Sequence, residues 1–237
     1  MSCITARLVV LAGMAAAGRT TLSRAIASLI PNAFHITRDD ILYGGLLYVS
    51  PTKTPRLPPF SEYVKNDNVF PDHAILVKTP FDEMTSVPHS SQSDFYKRHG
   101  RDQSFLIQGR IAAEALKTGK VPIVDGFLGN NVKFGSLARF MDQEYFAGYP
   151  KRLIYVVIDE EECWRRLNAR AEHDAEAKIR SLEIRLNKEA AMEVMKKNHP
   201  RNPEGLADLP HHHIDTTGRT IEECVAECIA YISSEPS

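Results

Sequence analysis

Short apolar runs alternate with helical patterns along most of the chain. Leu8–Ala12 is a continuous apolar run followed by glycine, which is typical of a strand buried in a parallel sheet. Four later runs, Phe34–Thr37, Val121–Val124, Leu153–Ile158 and His212–Asp215, predict further strands. Strands that alternate with helices predict an α/β fold, in which helices cover both faces of a parallel sheet.

Helical periodicity fills the intervals between these strands. After the first strand, apolar residues recur at helical spacing, at Leu22, Ile26, Leu29 and Ile30. Before the third strand the same spacing recurs, at Ile107, Ile111, Ala112 and Ala115. Residues 160–197 are charge-rich and helical in pattern, and Thr220 with Glu223 predicts a capping box at the start of the last helix.

Residues 50–100 interrupt this alternation. The segment holds seven of the 14 prolines and shows no periodicity, yet it keeps aromatic residues such as Phe60, Tyr63 and Phe70. Long irregular insertions in compact domains are either functional or disordered. The aromatic side chains favour an insertion that packs on the substrate side of the protein over a loose loop.

The composition is that of an ordinary globular enzyme of 237 residues, with 43% hydrophobic and 25% charged residues. A formal net charge of −1 argues against a dedicated nucleic-acid binder, which carries a basic excess. The four cysteines show no metal-ligand spacing, and we interpret them as core residues in a reducing cytosol. The run His211–His213 has no partner ligands nearby in sequence, so we predict no metal there.

The N-terminal residues imitate a secretory signal peptide, because Arg7 precedes ten apolar or small residues, Leu8–Ala17. That stretch is too short to span a membrane, and it runs into a motif with the features of an active site. We therefore expect a cytoplasmic protein without a membrane partner.

The strongest functional signal is the segment Gly13–Thr20, which reads Gly-Met-Ala-Ala-Ala-Gly-Arg-Thr. It fits the P-loop pattern G-x-x-x-x-G-K-[ST] except at the lysine. Glycines and small alanines let backbone N–H groups curl round a β-phosphate at the positive end of the next helix. Thr20 would place its hydroxyl on Mg²⁺. The predicted ATP contacts of this segment are Gly13, Ala15, Ala16, Ala17, Gly18, Arg19, Thr20 and Thr21.

Arg19 replaces the lysine of the P-loop pattern. Lysine is a compact point charge that can follow the transferring phosphoryl group, whereas arginine is a longer, flat fork. The charge is therefore kept while the geometry changes. Reduced activity, an altered nucleotide preference and a protein that only binds nucleotide are all open consequences.

Two adjacent aspartates, Asp39 and Asp40, follow the second predicted strand. Carboxylates at this edge of a parallel sheet face the ligand crevice. One of them could accept the proton of a substrate hydroxyl that attacks the γ-phosphate, and either could instead cap the following helix. We favour Asp39 over Asp40 as the base and assign both to substrate binding.

Asp125 ends the third predicted strand, and Gly126 follows it. A carboxylate in this position resembles a Walker B residue, which holds Mg²⁺ through water, and it could also grip the substrate. The structural alternative is an Asp-Gly turn that starts a loop.

Arg166 and Arg170 lie four residues apart on the helix predicted after the fourth strand, so they share one face. Arginine suits both stacking on adenine and clamping phosphoryl oxygens. The alternative is a solvated helix with ion pairs. Arg180 and Arg185 continue the series downstream, and for them the two interpretations are equally open.

The order of these motifs resembles the nucleoside-monophosphate-kinase-like P-loop kinases. A P-loop, an Asp-Asp pair, an Asp-Gly pair, Arg-x-x-x-Arg and Asp-Thr-Thr each follow one strand, and the resemblance covers about residues 5–48 and 103–235. It implies a three-layer α/β fold with a five-stranded parallel sheet of order 2-3-1-4-5 and a helical lid. We therefore expect one kinase domain over residues 1–237, with the insertion at about 50–100 and the lid at about 165–200.

The resemblance also implies roles for single residues. The segment Ile36–Asp40 resembles the catalytic segment of phage polynucleotide kinases and zeta-toxin kinases, in which the first aspartate is the base. Arg166 and Arg170 have the spacing of adenylate kinases, where the first arginine packs on adenine and the second meets the phosphates. Chloramphenicol phosphotransferases are similar at residues 123–129 and 215–224. In such folds the last of these loops borders adenine, which implies that Thr216, Thr217 and Gly218 form the base pocket.

One departure concerns the acceptor. Polynucleotide kinases carry an arginine three residues after the catalytic aspartate, and here that position is Leu42. The difference argues against a 5′-polynucleotide kinase and favours a less anionic, small-molecule acceptor.

The sequence thus predicts a small-molecule kinase that uses ATP and Mg²⁺. Arg19, Arg170 and Arg180 would neutralise the γ-phosphate, Thr20 and Asp125 would hold the metal, and the base would be Asp39. The alternatives are a nucleotide or polynucleotide kinase, a nucleotide-binding regulator that has lost phosphoryl transfer, and an interaction module built on the proline-rich insertion.

Overall fold

The structure, a computed structural model, describes residues 4–41, 76–78, 84–86, 101–173 and 188–235. Its strands, numbered along the chain, are β1 (Leu8–Gly13), β2 (Ala33–Thr37), β3 (Leu76–Lys78), β4 (Met84–Ser86), β5 (Val121–Leu128), β6 (Lys151–Val157) and β7 (His211–Asp215). Its helices are α1 (Arg19–Leu29), α2 (Arg38–Ile41), α3 (Arg101–Lys117), α4 (Gly129–Lys133), α5 (Ser136–Met141), α6 (Glu160–His173), α7 (Lys188–Asn198) and α8 (Ile221–Ser233).

Five of these strands form one parallel sheet in the order β2-β5-β1-β6-β7. Counted among themselves, they have the order 2-3-1-4-5, so the predicted topology is confirmed. The central strand β1 is buried at all six of its residues because β5 and β6 flank it and helices cover the sheet. This position explains its unbroken apolar run.

The chain divides into two compact units, residues 1–38 with 108–237, and residues 39–107. The first unit contains the parallel sheet. In the second, β3 and β4 pair in antiparallel orientation, with Val77 opposite Thr85. Apart from these two strands, the predicted insertion at about 50–100 lies outside the described residues and stays a prediction. The same holds for residues 174–187 of the predicted lid.

Within the described residues the predicted helices are present, with local differences in their buried faces. In α1, Leu22 and Ile26 are buried, but Leu29 is 49% exposed because it lies at the edge of that face in the last turn. In α3, Ala112 and Ala115 are buried whereas Ile111 is exposed. None of the described helices is long and apolar enough to cross a lipid bilayer.

The Asp-Gly pair predicted that the third strand of the sheet ends at Asp125, and this prediction is wrong. β5 continues to Leu128, and its register against β1 shifts between Asp125, which lies opposite Leu11, and Phe127, which lies opposite Ala12. The extra residue, Gly126, therefore forms a β-bulge. It has a φ of 117°, and a Cβ atom there would lie 2.4 Å from Cβ of Arg38. Glycine is thus required both by the backbone conformation and by the close approach of Arg38, which follows β2.

Replacement of Gly126 by alanine tests this packing requirement against a matched glycine. Gly119 also has a positive φ, of 75°, but a Cβ atom there would meet no atom within 4 Å. We expect Gly119→Ala to lower the free energy of unfolding by about 1 kcal/mol through backbone strain alone. Gly126→Ala should cost about 2 kcal/mol more, because the new methyl group overlaps Arg38. Denaturant unfolding measures both values, and equal losses would contradict the role given to the bulge.

Candidate active site

The loop between β1 and α1 has the backbone conformation of an anion-binding loop. Gly13, Ala16 and Gly18 all have positive φ angles, of 140°, 57° and 88°. Gly18 precedes α1, and no side chain caps the first turn of that helix. Turns of this kind direct successive N–H groups inward, towards the positive end of the helix dipole. The segment that matched the P-loop pattern can therefore bind phosphate through its backbone.

Contacts from β6 and α6 hold this loop in place. The N–H of Met14 donates a hydrogen bond to the carbonyl of Val156 at 2.9 Å. On α6, the buried thiol of Cys163 donates to the carbonyl of Ala15 at 3.5 Å. Cys163 is thus a packing residue beneath the loop, in agreement with its interpretation as a core cysteine.

Thr20 and Asp125, the two predicted metal-binding residues, lie together. The Thr20 hydroxyl donates a hydrogen bond to the carboxylate of Asp125, which is only 1% exposed. His35 on β2 also contacts this carboxylate, with 3.2 Å between Nε2 and Oδ2. Burial alone would raise the pKa of Asp125, but the hydrogen bond from His35 and the charge of Arg19 outweigh it and lower the pKa. Asp125 is therefore a buried carboxylate that remains ionised.

Arg19 lies in the same group of side chains. Its Nη1 donates a hydrogen bond to the carbonyl of Phe127 at 2.8 Å, and its positive charge acts on both Asp125 and Tyr155. Phe127 is the residue that follows the bulge, so the bulge sets the place of this carbonyl. Thr21, the next predicted contact after Thr20, is exposed in the first turn of α1.

Gln108 on α3 holds the main chain of the site. Its Nε2 donates to the carbonyl of Ile36 at 3.0 Å and to that of Asp125 at 2.5 Å, and its side chain is fully buried. It thereby joins β2 to β5 at the level of the buried carboxylate. Neither Gln108 nor His35 was predicted as a site residue, because a single polar residue within a helix or strand carries no motif.

Arg166 and Thr216 lie beside the phosphate loop. The guanidinium of Arg166 is fixed by Glu162, with 2.8 Å between Nε and Oε1, and its Nη2 donates to the carbonyl of Thr216 at 3.2 Å. The Thr216 hydroxyl donates to the carbonyl of Ala17 at 3.1 Å. A Cβ atom on Gly18 would lie 3.7 Å from Nη1 of Arg166. Two residues from distant parts of the sequence thus meet at the loop, and their part in nucleotide binding stays a prediction.

Thr217 has a different set of contacts. Its hydroxyl donates to Oδ1 of Asp215 at 2.6 Å and accepts a hydrogen bond from the N–H of Asp159 at 2.7 Å. Asp159 in turn accepts hydrogen bonds from backbone N–H groups at the start of α6. The side chain of Thr217 therefore joins the loop after β7 to the loop that precedes α6.

The other predicted residues lie on α6 or further along the chain. Arg170 is on α6, one turn after Arg166, in a part of the helix where only the backbone is described. Arg180 and Arg185 lie outside the described residues.

Asp39 and Asp40 belong to the second unit of the chain. Both are exposed in the first turn of α2, which begins at Arg38 directly after β2. They are thus inside the helix rather than at the residue before it, and the choice between a catalytic role and a role at the helix terminus stays a prediction.

The arrangement is that of the P-loop kinase fold. A phosphate loop follows the central strand, a buried carboxylate lies on the adjacent strand, and the strand order is that of the nucleoside-monophosphate-kinase-like group. No protein-family model matches the chain, and no curated protein sequence matches it.

Solved structures share the fold at low sequence identity. One is the APS kinase of Mycobacterium tuberculosis in complex with AMPPNP and APS, at 13% identity and a TM-score of 0.52, over 97% of this chain and 99% of that one. Another is shikimate kinase from Acinetobacter baumannii in complex with shikimate, at 15% identity and 0.51, over 97% and 94%. A third is a gluconokinase from Sinorhizobium meliloti, at 12% identity and 0.51, over 97% and 92%.

Proposed function

We propose that the chain is an ATP-dependent kinase that transfers a γ-phosphate to a hydroxyl group of a small molecule. The observation that carries the proposal is the convergence of Arg19, Thr20 and Asp125 at the end of an anion-binding loop. Proteins of the same fold support the small-molecule acceptor, since they include a shikimate kinase, a gluconokinase and an APS kinase.

In this proposal the phosphates of ATP bind along the Gly13–Thr20 loop. The backbone N–H groups and the α1 dipole attract the β-phosphate. Arg19 adds a positive charge whose fork can contact two phosphate oxygens at once. Because Phe127 already accepts one N–H of that fork, the guanidinium is held in a fixed orientation before ATP arrives. Fixed charges of this kind stabilise the transition state of phosphoryl transfer most effectively.

The donor set at Thr20 and Asp125 fits Mg²⁺. Hard oxygen ligands from one or two side chains, together with phosphate oxygens and water, are what this ion takes in kinase sites. The hydroxyl and the ionised carboxylate already lie within hydrogen-bond distance of each other, so both can face one ion. Bound there, Mg²⁺ would neutralise negative charge on the phosphoryl oxygens.

The proposed base is Asp39. It follows Thr37 by two residues, and Thr37 lies opposite Asp125 in the β2–β5 pairing. A chain segment of that length spans at most about 7 Å between Cα atoms, so Asp39 is tethered near the end of β2. The carboxylate would accept the proton of the attacking hydroxyl, with Asp40 beside it on the substrate side. Arg170 would join Arg19 in neutralising the γ-phosphate.

Arg166 and Thr216 are proposed to border the adenine. Glu162 and the Thr216 carbonyl hold the Arg166 guanidinium beside the loop, where its flat face can stack on the base. Thr217, whose hydroxyl joins two loops, would contribute through the loop backbone rather than its side chain.

A second candidate function is a nucleotide-binding regulator without phosphoryl transfer. The observation that favours it is again Arg19, since its bond to Phe127 could hold the guanidinium away from a moving phosphoryl group. The kinase would turn over ATP and the regulator would not, whereas both would bind nucleotide.

The reaction is proposed to take place in the cytoplasm. Among the described residues, the thiols of Cys163, Cys224 and Cys228 are buried and form no disulfide, which suits a reducing compartment.

The kinase assignment is tested by ADP release from ATP and Mg²⁺ with a panel of polyols, sugars and nucleosides, and by the effect of Gly18→Val on ATP affinity. A valine cannot adopt the φ of 88° at this position without strain, so the loop should lose ATP binding. Gly119→Val is the matched control, because it strains a distant positive-φ glycine that has open space around it. Unchanged ATP affinity in a folded Gly18→Val protein would refute the assignment of the loop.

The choice between the two aspartates is tested by separate substitutions. We expect Asp39→Asn to lower kcat by about two to four orders of magnitude, the range for loss of a general base, with little change in ATP affinity. Asp40→Asn is the matched control and should have the milder effect. Steady-state kinetics would show the wrong carboxylate had been chosen if the two results were reversed.

The role of Arg19 is tested by comparing two replacements with the wild type. Arg19→Ala should reduce transition-state stabilisation by about 3 kcal/mol or more, on the scale of other fixed charge contacts. Arg19→Lys should not restore the full rate, because the shorter ammonium group cannot reproduce the bidentate geometry of the guanidinium fork. A lysine variant with a higher kcat than the wild type would favour the regulator that has lost its transfer activity.

A further inference from the structure

The backbone of Asp125 is held in place by its contacts, but the rotamer of its side chain does not fix the plane of the buried carboxylate. Gln108 accounts for the backbone, because its Nε2 donates to the Asp125 carbonyl. The pairing of β5 with β1 and β2 fixes the same peptide from both sides. The side chain still has a terminal torsion with broad, shallow preferences. The plane of the carboxylate is therefore set by its hydrogen-bond donors, and Thr20, one of the two, is itself proposed to bind the metal.

His35 provides the other contact from the neighbouring strand. It lies two residues before Thr37 on β2, so the side chains of these two residues share one face of the sheet. Its Nε2 is 3.2 Å from Oδ2 of Asp125, and the His35 and Asp125 side chains are only 16% and 2% exposed. An ionised carboxylate can only accept hydrogen bonds, so the proton of this bond is on Nε2 of the histidine.

We propose that His35 is a positioning residue, which sets the plane of the Asp125 carboxylate so that it faces the metal bound with Thr20. The inference rests on the proposed function, since it assigns a task within the same metal site. Partners that orient a metal ligand affect metal binding without touching the ion.

A merely structural role for His35 makes a different prediction. If the imidazole only supplied a partner for a buried charge, its loss would lower stability and leave the metal affinity of the remaining folded protein unchanged. If it orients the carboxylate, metal affinity falls in folded protein and returns when another donor occupies the position of Nε2. Metal affinity therefore separates the two roles, independently of catalysis.

The experiment compares His35→Leu, which removes the donor, with His35→Gln, whose amide NH₂ reaches about as far as Nε2 of histidine. Mn²⁺ binding to the protein–ADP complex is measured by water-proton relaxation, and ADP affinity without metal is measured by calorimetry. We expect His35→Leu to weaken Mn²⁺ binding by about 10- to 100-fold, the range for losing a partner of a metal ligand. His35→Gln should recover most of that loss, and metal-free ADP affinity should stay constant in both variants.

The matched control is Phe34→Leu, which changes the adjacent, exposed residue of β2. It should leave Mn²⁺ affinity as in the wild type. Equal Mn²⁺ affinity in wild type and folded His35→Leu would overturn the inference while leaving the proposed function intact, and so would an equal loss in the Leu and Gln variants. A wild-type protein that binds ADP with no bound Mn²⁺ would overturn the metal site itself, and with it both proposals.

Discussion

The charge of Asp125, buried within the sheet, is the constraint on which the site depends. A carboxylate that is 1% exposed can remain ionised only if donors and cations surround it. Here they come from two separate parts of the chain: His35 on β2, and the start of α1, where Thr20 donates a hydrogen bond and Arg19 supplies a positive charge. The interactions that stabilise this one charge thus hold the phosphate loop, the first helix and the second strand next to β5.

The phosphate loop is stabilised from the opposite side of β1. Val156 on β6, Cys163 on α6 and Thr216 after β7 each hold one of its main-chain groups. The loop therefore lies between two sets of contacts, one that fixes its backbone and one that supplies the charges at its end. Residues as far apart in sequence as Thr20 and Thr216 therefore lie at the same loop.

The fold and part of the site could be predicted from the sequence because they rest on local patterns. Leu8–Ala12 is apolar because a central strand is buried on both sides, and the P-loop glycines are spaced by the turn they form. The end of β5 could not be predicted, since an Asp-Gly pair reads equally as a turn or as a bulge until the neighbouring strand is known. Asp125 itself was found through its position after an apolar run.

Other site residues could not be found in this way. His35 and Gln108 act through contacts across 90 and 17 residues of sequence, and nothing in their immediate neighbours marks them. Leu29 is a residue for which the sequence pattern predicted a buried position that the structure does not show. Helical spacing identifies the apolar face of a helix but not where that face meets solvent.

The hydrogen bond from Arg19 to Phe127 has a consequence for how this site can change during evolution. Its acceptor is a main-chain carbonyl, so no replacement of the Phe127 side chain removes that carbonyl group. Positions 19 and 127 are therefore not expected to covary among descendants of this sequence. The residue whose identity should accompany arginine is Gly126, because the bulge it permits is what brings the carbonyl within reach. The partner of the Arg19 guanidinium is thus determined by the path of the backbone. It lies two positions after Asp125, the nearest residue that would look like a ligand.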